Sequence, residues 1–164
     1  MKRLTVELIM GSPAFRNTLK ERELDLRGHK VPRIENLGVT QDQFDTIDLS
    51  NNCIEIIEDF PVLKRLRTLI MNNNLVKLAK QSVSESLPNL ESLILTNNRI
   101  ASFKDISTFV QCHKLEHISL FLNPITTLPN YRAIMVKLFP NLKYLDFQKV
   151  SKQDRDDAAN VLTE

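Results

Sequence analysis

The 164-residue chain carries 22 basic and 20 acidic residues, a net charge of +2, and is 42% hydrophobic, the balance of one globular domain rather than of a disordered chain. A charge this small does not by itself mark a nucleic-acid binder, no apolar run is long enough to span a membrane as a helix, and Cys53 and Cys112 lack a metal spacing and read as reduced thiols. The start, Met1-Lys2-Arg3-Leu4 followed by Glu7, has no apolar stretch suited to secretion, so an intracellular protein is expected.

Residues 1–20 read as an N-terminal cap. Leu4, Leu8 and Ile9 have helical spacing, and Ser12-Pro13 reads as a helix start with serine at the N-cap and proline at N1. Residues 1–34 hold eight basic and four acidic side chains, net +4, leaving net −2 for the rest. Residues 21–125 are repeats. Phe44-Asp-Thr-Ile47-Asp-Leu49-Ser-Asn-Asn52-Cys-Ile54 has the form L-x-x-L-x-L-x-x-N-x-L, and so do the runs beginning at Leu66, Leu90 and Leu115. Their asparagines, Asn52, Asn74, Asn98 and Asn123, are 22, 24 and 25 residues apart, the period of a leucine-rich repeat. A degenerate earlier repeat, Leu24-Asp-Leu26-Arg-Gly-His29-Lys-Val31, places His29 in the asparagine slot, where it is expected to substitute in satisfying the turn. Ile54, Ile57, Phe60, Leu63 and Leu66, three apart, hold one return segment to the core. Residues 126–150 form a C-terminal cap. Tyr131, Ile134, Met135 and Leu138 share a helix face, Pro140 stops the helix, and Leu142–Phe147 is a last strand. Residues 151–164 are a polar tail, helical or frayed.

The fold class that follows is α/β. It is a leucine-rich-repeat solenoid, a short right-handed horseshoe with a parallel concave sheet, a helical or irregular convex side, and a cap at each end. Apolar residues alternating with Asp48 give each repeat a two-residue period, hence a short strand with one buried face. The sharp turn after each strand leaves backbone N–H and C=O groups away from water, and an inward asparagine carries both donors and an acceptor on a short stem. Asn52, Asn74, Asn98 and Asn123 are therefore structural.

The sequence carries no catalytic constellation. Gly11, Gly28 and Gly38 are too scattered for phosphate loops or a nucleophile elbow. His113 and His117 flank a strand start and share no helix face, so no metal or cofactor is expected. Asp25, Asp48 and Asp146 occupy equivalent strand positions, but Ile70 and Ile94 fill that slot between them. An enzyme is excluded.

What remains is the concave face. Its strand residues are polar or charged at the ends (Glu23, Asp25, Arg27, Thr46, Asp48, Ser50, Asn51; Tyr144, Asp146, Gln148, Lys149) and apolar toward the middle and later repeats. There Ile70, Ile94, Phe121 and Leu122 lie beside Asn72, Asn73, Thr96, Asn97, His117 and Ser119. An apolar centre with a polar rim suits protein binding, and a groove of this curvature suits an amphipathic helix. The partner-binding set is Asp25, Arg27, Asp48, Ser50, Asn51, Ile70, Asn72, Asn73, Ile94, Thr96, Asn97, Ser119, Phe121 and Leu122. Arg27 and Lys149, in equivalent positions at the two edges, with Lys2, Arg3 and Lys152 nearby in sequence, are expected to touch a phosphate backbone held by the partner.

Particular runs carry a resemblance: Arg22-Glu-Leu-Asp-Leu-Arg-Gly28, Ile34-Glu-Asn-Leu-Gly38, Asp42-Gln-Phe-Asp-Thr-Ile-Asp48, Leu93-Ile-Leu-Thr-Asn-Asn98 and Tyr144-Leu-Asp-Phe-Gln-Lys-Val150. Over residues 1 to about 155 the chain resembles the A-prime family of U2 small nuclear ribonucleoprotein components. That resemblance implies a non-catalytic scaffold of the spliceosome in pre-mRNA splicing, located in the nucleus. Its partner would be an RRM protein of the B-double-prime type, which the chain would assist in recognising a U2 snRNA stem-loop. No membrane or small-molecule substrate is implied. The family's longer basic C-terminal region is not matched within these 164 residues. The second reading is another leucine-rich-repeat regulator, bound to a phosphatase or a different nuclear protein.

Overall fold

The computed structural model describes residues 2–161. Met1 and residues 162–164, expected to begin the cap and to end the polar tail, lie outside the described residues. Two antiparallel hairpins enclose a parallel sheet. The chain opens with helix α1 (Val6–Met10), whose N-cap Thr5 accepts from the Leu8 N–H at 3.1 Å. A hairpin follows, β1 (Ala14–Arg16) against β2 (Arg22–Asp25). Strands β3 (Thr46–Asp48), β5 (Thr68–Ile70), β7 (Ser92–Ile94), β8 (His117–Ser119) and β9 (Tyr144–Leu145) then add in parallel, and β10 (Gln148–Lys149) returns antiparallel to β9. On the convex side β4 (Ile56–Ile57) pairs with β6 (Leu78–Ala79), near the short helix α2 (Val83–Ser86) and 3-10 segments at Leu37–Thr40, Phe103–Gln111 and Pro124–Thr127. Helices α3 (Tyr131–Leu138) and α4 (Lys152–Asn160) close the far end.

The core follows from the register. Leu24, Ile47, Leu69, Leu93 and Ile118 are successive partners across the sheet, and Ile118 pairs in turn with Leu145. A second inward row runs Leu26, Leu49, Met71, Leu95 and Leu120, and every member of both rows is at most 2% exposed. Burial of these side chains stabilises the fold by about 25 cal/mol per Å² of apolar surface, but only if the turns between them satisfy their own polar groups.

The four asparagines do this in one repeated pattern. Asn74 Oδ1 accepts from the Ile54 N–H of the preceding repeat at 3.0 Å, and its Nδ2 donates to Leu49 O at 2.9 Å and Met71 O at 3.2 Å. Asn98 repeats the pattern with Val76, Met71 and Leu95, and Asn123 with Ile100, Leu95 and Leu120. Asn52 also takes the N–H of both His29 and Val31. His29 does not substitute in the ladder as its slot suggested. Among the described residues its ring has no hydrogen bond, and the turn is served by Asn52 of the next repeat.

Four expectations about the ends are corrected. Ser12 closes α1 rather than starting a helix, its hydroxyl donating to Leu8 O at 2.6 Å, and Pro13 leads into β1. Leu142–Phe147 is not one strand, since Asp146 and Phe147 have φ of 52° and 65° and turn the chain back into β10. Lys149 therefore pairs with Tyr144 and is not equivalent to Arg27. Nor does Asp146 hold a strand position equivalent to that of Asp48, since β9 ends at Leu145. Its carboxylate accepts from the Leu120 N–H at 2.6 Å and the Tyr131 hydroxyl at 2.8 Å, and burial followed by this carboxylate raises the Tyr131 pKa.

The polar segment after Val150 is a docked helix. Ser151 and Asp154 form a reciprocal capping box. Arg132 of α3 donates to both Asp154 oxygens at 3.0 and 2.9 Å, and to the carbonyls of Leu145, Gln148 and Lys149. One guanidinium thus ties α3, α4 and the last hairpin.

Two expected outcomes test this account. Asn74→Ala orphans the buried Ile54 N–H and takes one of two amide donors from the Leu49 and Met71 carbonyls, which keep those of Asn52 and Asn98. At ~1–3 kcal/mol for an unsatisfied buried group, urea denaturation should show a loss of that size; an unchanged midpoint would remove the ladder argument at that repeat. The Arg132 guanidinium, first among the causes, holds the Asp154 pKa down to about 2. A lowered carboxylate pKa stabilises the fold above its unfolded value of about 3.9 and ceases to do so as pH falls through the folded one. Asp154→Asn should therefore melt below wild type at pH 6, with the gap closing between pH 4 and 2; a gap independent of pH would mean the pairing is not the cause.

Candidate binding face

The outward side chains of the sheet form rows across the concave face. One runs Phe15, Glu23, Thr46, Thr68, Ser92, His117 and Tyr144, and the next runs Asp25, Asp48, Ile70, Ile94 and Ser119. Just beyond the strands come Arg27, Ser50, Asn72, Thr96 and Phe121, then Gly28, Asn51, Asn73, Asn97 and Leu122 at the turns.

The first third is acidic and internally paired. Arg27 Nε lies 3.0 Å from Asp25 and 3.9 Å from Asp48, and its hydrogen bond to Asp25 depresses that carboxyl's pKa. Asp25 and Asp48 also accept from the N–H two residues on, those of Arg27 and Ser50. The middle is a polar lattice around two isoleucines. Asn72 N–H donates to Ser50 Oγ, Thr96 N–H to Asn72 Oδ1, and the Thr96 and Ser119 hydroxyls lie 2.9 Å apart. Asp48, Ser50 and Ser119, expected as contacts, are buried at 8%, 5% and 0% exposure. Small side chains in register with longer neighbours are shaded by them, so Ser119 holds the face together rather than presenting itself. Ile70 and Ile94 are half-buried, and Asn51, Asn73 and Asn97 are exposed and bonded amide to amide, each link 2.9 Å.

The last third is apolar and aromatic. Phe121, Leu122, Tyr144 and Phe147 are 53%, 60%, 46% and 60% exposed. His117 sits among them, its ring 6.0 Å from Tyr144 and 5.6 Å, edge-on, from Phe147. Burial lowers its pKa, and its Nε2 is enclosed without a hydrogen-bond partner among the described residues. Tyr144 and His117 share a face by register, whereas Phe147 is brought up by the turn at Asp146. That turn fits the two-residue hairpin class that needs left-handed backbone at both central positions.

Two of these exposed apolar residues are held in unfavourable backbone. The turn position before each ladder asparagine is left-handed: Gly28, Asn51, Asn73, Asn97 and Leu122 have φ between 57° and 73°. Glycine and asparagine adopt this readily, but a leucine does so at a cost of roughly 1–2 kcal/mol. Phe147, at φ 65°, is in the same position. Strained side chains that are also exposed and apolar mark a site where something other than stability sets the residue.

The expected phosphate-contacting residues do not form one patch. Lys2, Arg3 and Arg27 belong to the first end of the sheet and Lys149 and Lys152 to the last; from β2 to β10 the sheet spans six strand spacings, about 29 Å at ~4.8 Å each. Arg3 is paired with Glu35 at 2.6 Å and Arg27 with Asp25. Lys2, Lys149 and Lys152 are exposed and have no ion pair among the described residues.

A leucine-rich-repeat family model matches residues 1–164. The chain is 48% identical over 163 residues to U2 small nuclear ribonucleoprotein A′ of Arabidopsis thaliana, covering 99% of this chain and 66% of that protein. It is 48% identical to the probable U2 small nuclear ribonucleoprotein A′ of Drosophila melanogaster, covering 96% of this chain and 60% of that one. Among solved structures, the crystal structure of the Drosophila melanogaster SNF/U2A′ complex superposes with a TM-score of 0.94 at 49% identity, covering 97% of this chain and 91% of the matched one. The chain belongs to the U2 small nuclear ribonucleoprotein A′ family of leucine-rich-repeat proteins. It spans 66% and 60% of the length of these two curated family members.

Within this A′ family fold, Phe15 and Phe147 are the face residues that periodicity misses. Phe15 reaches the concave row through an antiparallel strand before the first repeat, and Phe147 through a turn that breaks the two-residue alternation. The signal that could have found Leu122 as special was its place in the series Asn51, Asn73, Asn97.

Leu122→Asn should therefore relieve the left-handed strain, raising stability by about 1 kcal/mol in urea denaturation, while removing an exposed apolar contact. An unchanged or lower stability would show that the turn tolerates leucine without strain.

Proposed function

We propose that this chain is a non-catalytic scaffold of the U2 small nuclear ribonucleoprotein that holds an RNA-recognition-motif protein of the B-double-prime type on its concave face. The observation that carries this reading is the cluster of Phe121, Leu122, Tyr144 and Phe147, exposed together beside half-buried Ile70 and Ile94, with two of the four in strained backbone. An α-helix about 10–12 Å across fits a concave sheet lined in this way, its apolar stripe on the isoleucines and aromatics. The likeness to a structure described as an SNF/U2A′ complex supports the same partner class. An internally satisfied polar lattice in the middle of the face lowers the desolvation cost of covering it, because its donors and acceptors are already paired with one another.

The residues proposed to meet the partner are Arg27, Ile70, Ile94, Phe121 and Leu122, with the exposed amides Asn51, Asn73 and Asn97 along one border, and Tyr144 and Phe147 added by the last hairpin. In this reading the RNA is held by the partner, and this chain assists at its rim. Lys149 and Lys152 are the better candidates for phosphate contact than Arg27 or Arg3, whose charges are already matched by carboxylates. Contacts of that kind position a stem-loop without reading its bases. Membership of the U2 particle implies work in the nucleus, in pre-mRNA splicing. The phosphatase-regulator reading is not favoured, since the likenesses fall on A′ proteins.

Ile94→Arg should leave the circular-dichroism spectrum intact and weaken binding of the B-double-prime RRM by more than roughly tenfold, because a central apolar contact is replaced by a charge buried without a partner. Titration calorimetry on the folded variant decides it, and unaltered affinity would place the partner elsewhere.

A further inference from the structure

Among the described residues the large exposed hydrophobic side chains fall into two groups and one isolated residue. Phe121, Leu122, Tyr144 and Phe147 line the concave face, Val62 stands alone, and Val6, Met10, Phe15 and Leu19 lie together in sequence in the N-terminal cap. The docking reading above leaves that last group without a role. It surrounds β1, the first strand of the sheet order.

The hydrogen bonding of β1 fixes which of its backbone groups are free. Asp25 N–H donates to Pro13 O and Asn17 N–H to Glu21 O, both at 2.9 Å. Antiparallel pairs alternate between bonded and non-bonded residues, so Pro13, Phe15 and Asn17 face β2, while the N–H and C=O groups of Ala14 and Arg16 turn outward. The opposite edge of the sheet is finished differently. There Arg132 occupies the Gln148 and Lys149 carbonyls, and α4 packs on α3 beside them. At the N-terminal end α1 packs against the Leu37–Thr40 turn, and all three residues of β1 are exposed among the described residues.

Next to Ala14 lies a cavity of about 260 Å³ with an apolar wall that includes Ile9, Leu24, Val39 and Phe44 and a polar one of Ser12, Thr40, Gln41 and Gln43. On the same hairpin stand two exposed cations, Arg16 and Lys20. Neither has an ion pair among the described residues, Arg16 donating only to the Lys20 carbonyl at 3.1 Å.

We propose that β1 is a strand-addition site for an extended segment of a second protein running antiparallel to it, with a core triplet reading acidic, aromatic, aliphatic from its N-terminus. Strand addition supplies main-chain hydrogen bonds to Ala14 and Arg16, and alternate side chains supply specificity. Register dictates the triplet. Ala14 shares the core side with its partner Leu24, so the incoming residue opposite Ala14 faces this cavity, where Ile9, Leu24, Val39 and Phe44 offer it apolar contact. The residue opposite Phe15 lies on the concave side, where an aromatic cross-strand pair is favourable. The residue opposite Arg16 meets unpaired positive charge. Pairing β1 antiparallel with β1 of a second copy, Phe15 against Phe15, would set each Arg16 opposite the other copy's Ala14 and so turn a cation toward each cavity, which disfavours it.

The probe is a fluorescein-labelled nine-residue peptide, serine-flanked around glutamate–phenylalanine–valine, titrated against the whole chain by fluorescence polarisation. Saturable binding is expected, weakened roughly tenfold or more by lysine in place of the glutamate. N-methylation at the glutamate or valine amide, which would face β1, should cost as much, whereas N-methylation at the phenylalanine amide, which points away, should cost little. Ala14→Pro removes an outward N–H without touching the β1–β2 ladder and should abolish binding. Should that variant fail to fold, the N-methylated peptides on wild type carry the same decision. The double variant Arg16→Glu/Lys20→Glu should reverse the preference toward the lysine peptide, and Ile94→Arg should leave peptide binding intact, so this result stands apart from that of the concave face. Absence of saturation at millimolar peptide, or binding indifferent to N-methylation, would overturn the proposal. Concentration-dependent dimerisation in sedimentation, lost in Ala14→Pro, would overturn it in favour of pairing between copies.

Discussion

The structure depends on one requirement: a chain that turns sharply inside its own core must pair the backbone groups it hides there. The asparagine ladder meets it. Each carboxamide accepts from the repeat before it and donates to two carbonyls, one in its own turn and one in the preceding strand. Because every bond set crosses a repeat boundary, the ladder is also what sets the stacking register of the sheet. The leucine and isoleucine rows then fall into line without further specification. Burial of the apolar rows and pairing of the turns are one event, which is why no single repeat is a stable unit.

The ladder also fixes the character of the face that function uses. Once the inward positions are committed to leucine and asparagine, only the alternate strand residues and the turn positions are free to vary. The chain spends the first of these on charge at one end, on isoleucine in the middle, and on an aromatic group at the other. The left-handed turn positions carry Gly28, three asparagines, and then Leu122. The departure from residues suited to that backbone occurs where the face becomes apolar, and the same holds for Phe147 one strand further on. Strain and exposed apolar surface coincide at the C-terminal third, and that coincidence, more than the repeat itself, distinguishes this face from the polar surface of a purely structural solenoid.

Much of this was legible in the sequence, for reasons that differ by element. The strands, the inward rows and the ladder could be read because each rests on a local pattern repeated four times, so that accidents average out. The apolar centre at Ile70, Ile94, Phe121 and Leu122 follows from the same register. What could not be read depends on neighbours distant in sequence or on turn chemistry without its usual residues. The hairpin at Asp146-Phe147 lacks the Asn-Gly signature, so it read as a continuing strand and concealed Phe147. Ser119 sits on the outward side by periodicity, yet its exposure is decided by the side chains around it. Ser12-Pro13 has the letters of a helix start and ends one instead, because the preceding apolar residues had already formed the helix. Ion pairing of Arg27 and Arg3 with Asp25 and Glu35 is likewise a matter of geometry, and it separates charges that composition counts alike.

The two terminal hairpins have a consequence for the size of the recognition surface. A parallel strand hands its register to the next, and a sheet made only of such strands has no intrinsic length; it could accept another repeat at either end. Here the first and last strands run the other way, and a strand that reverses direction cannot template a further repeat in the same screw sense. The solenoid is therefore bounded by topology rather than by the loss of a sequence motif. Its concave face is a gauge of set span, and a partner shaped to it meets the same number of rungs every time.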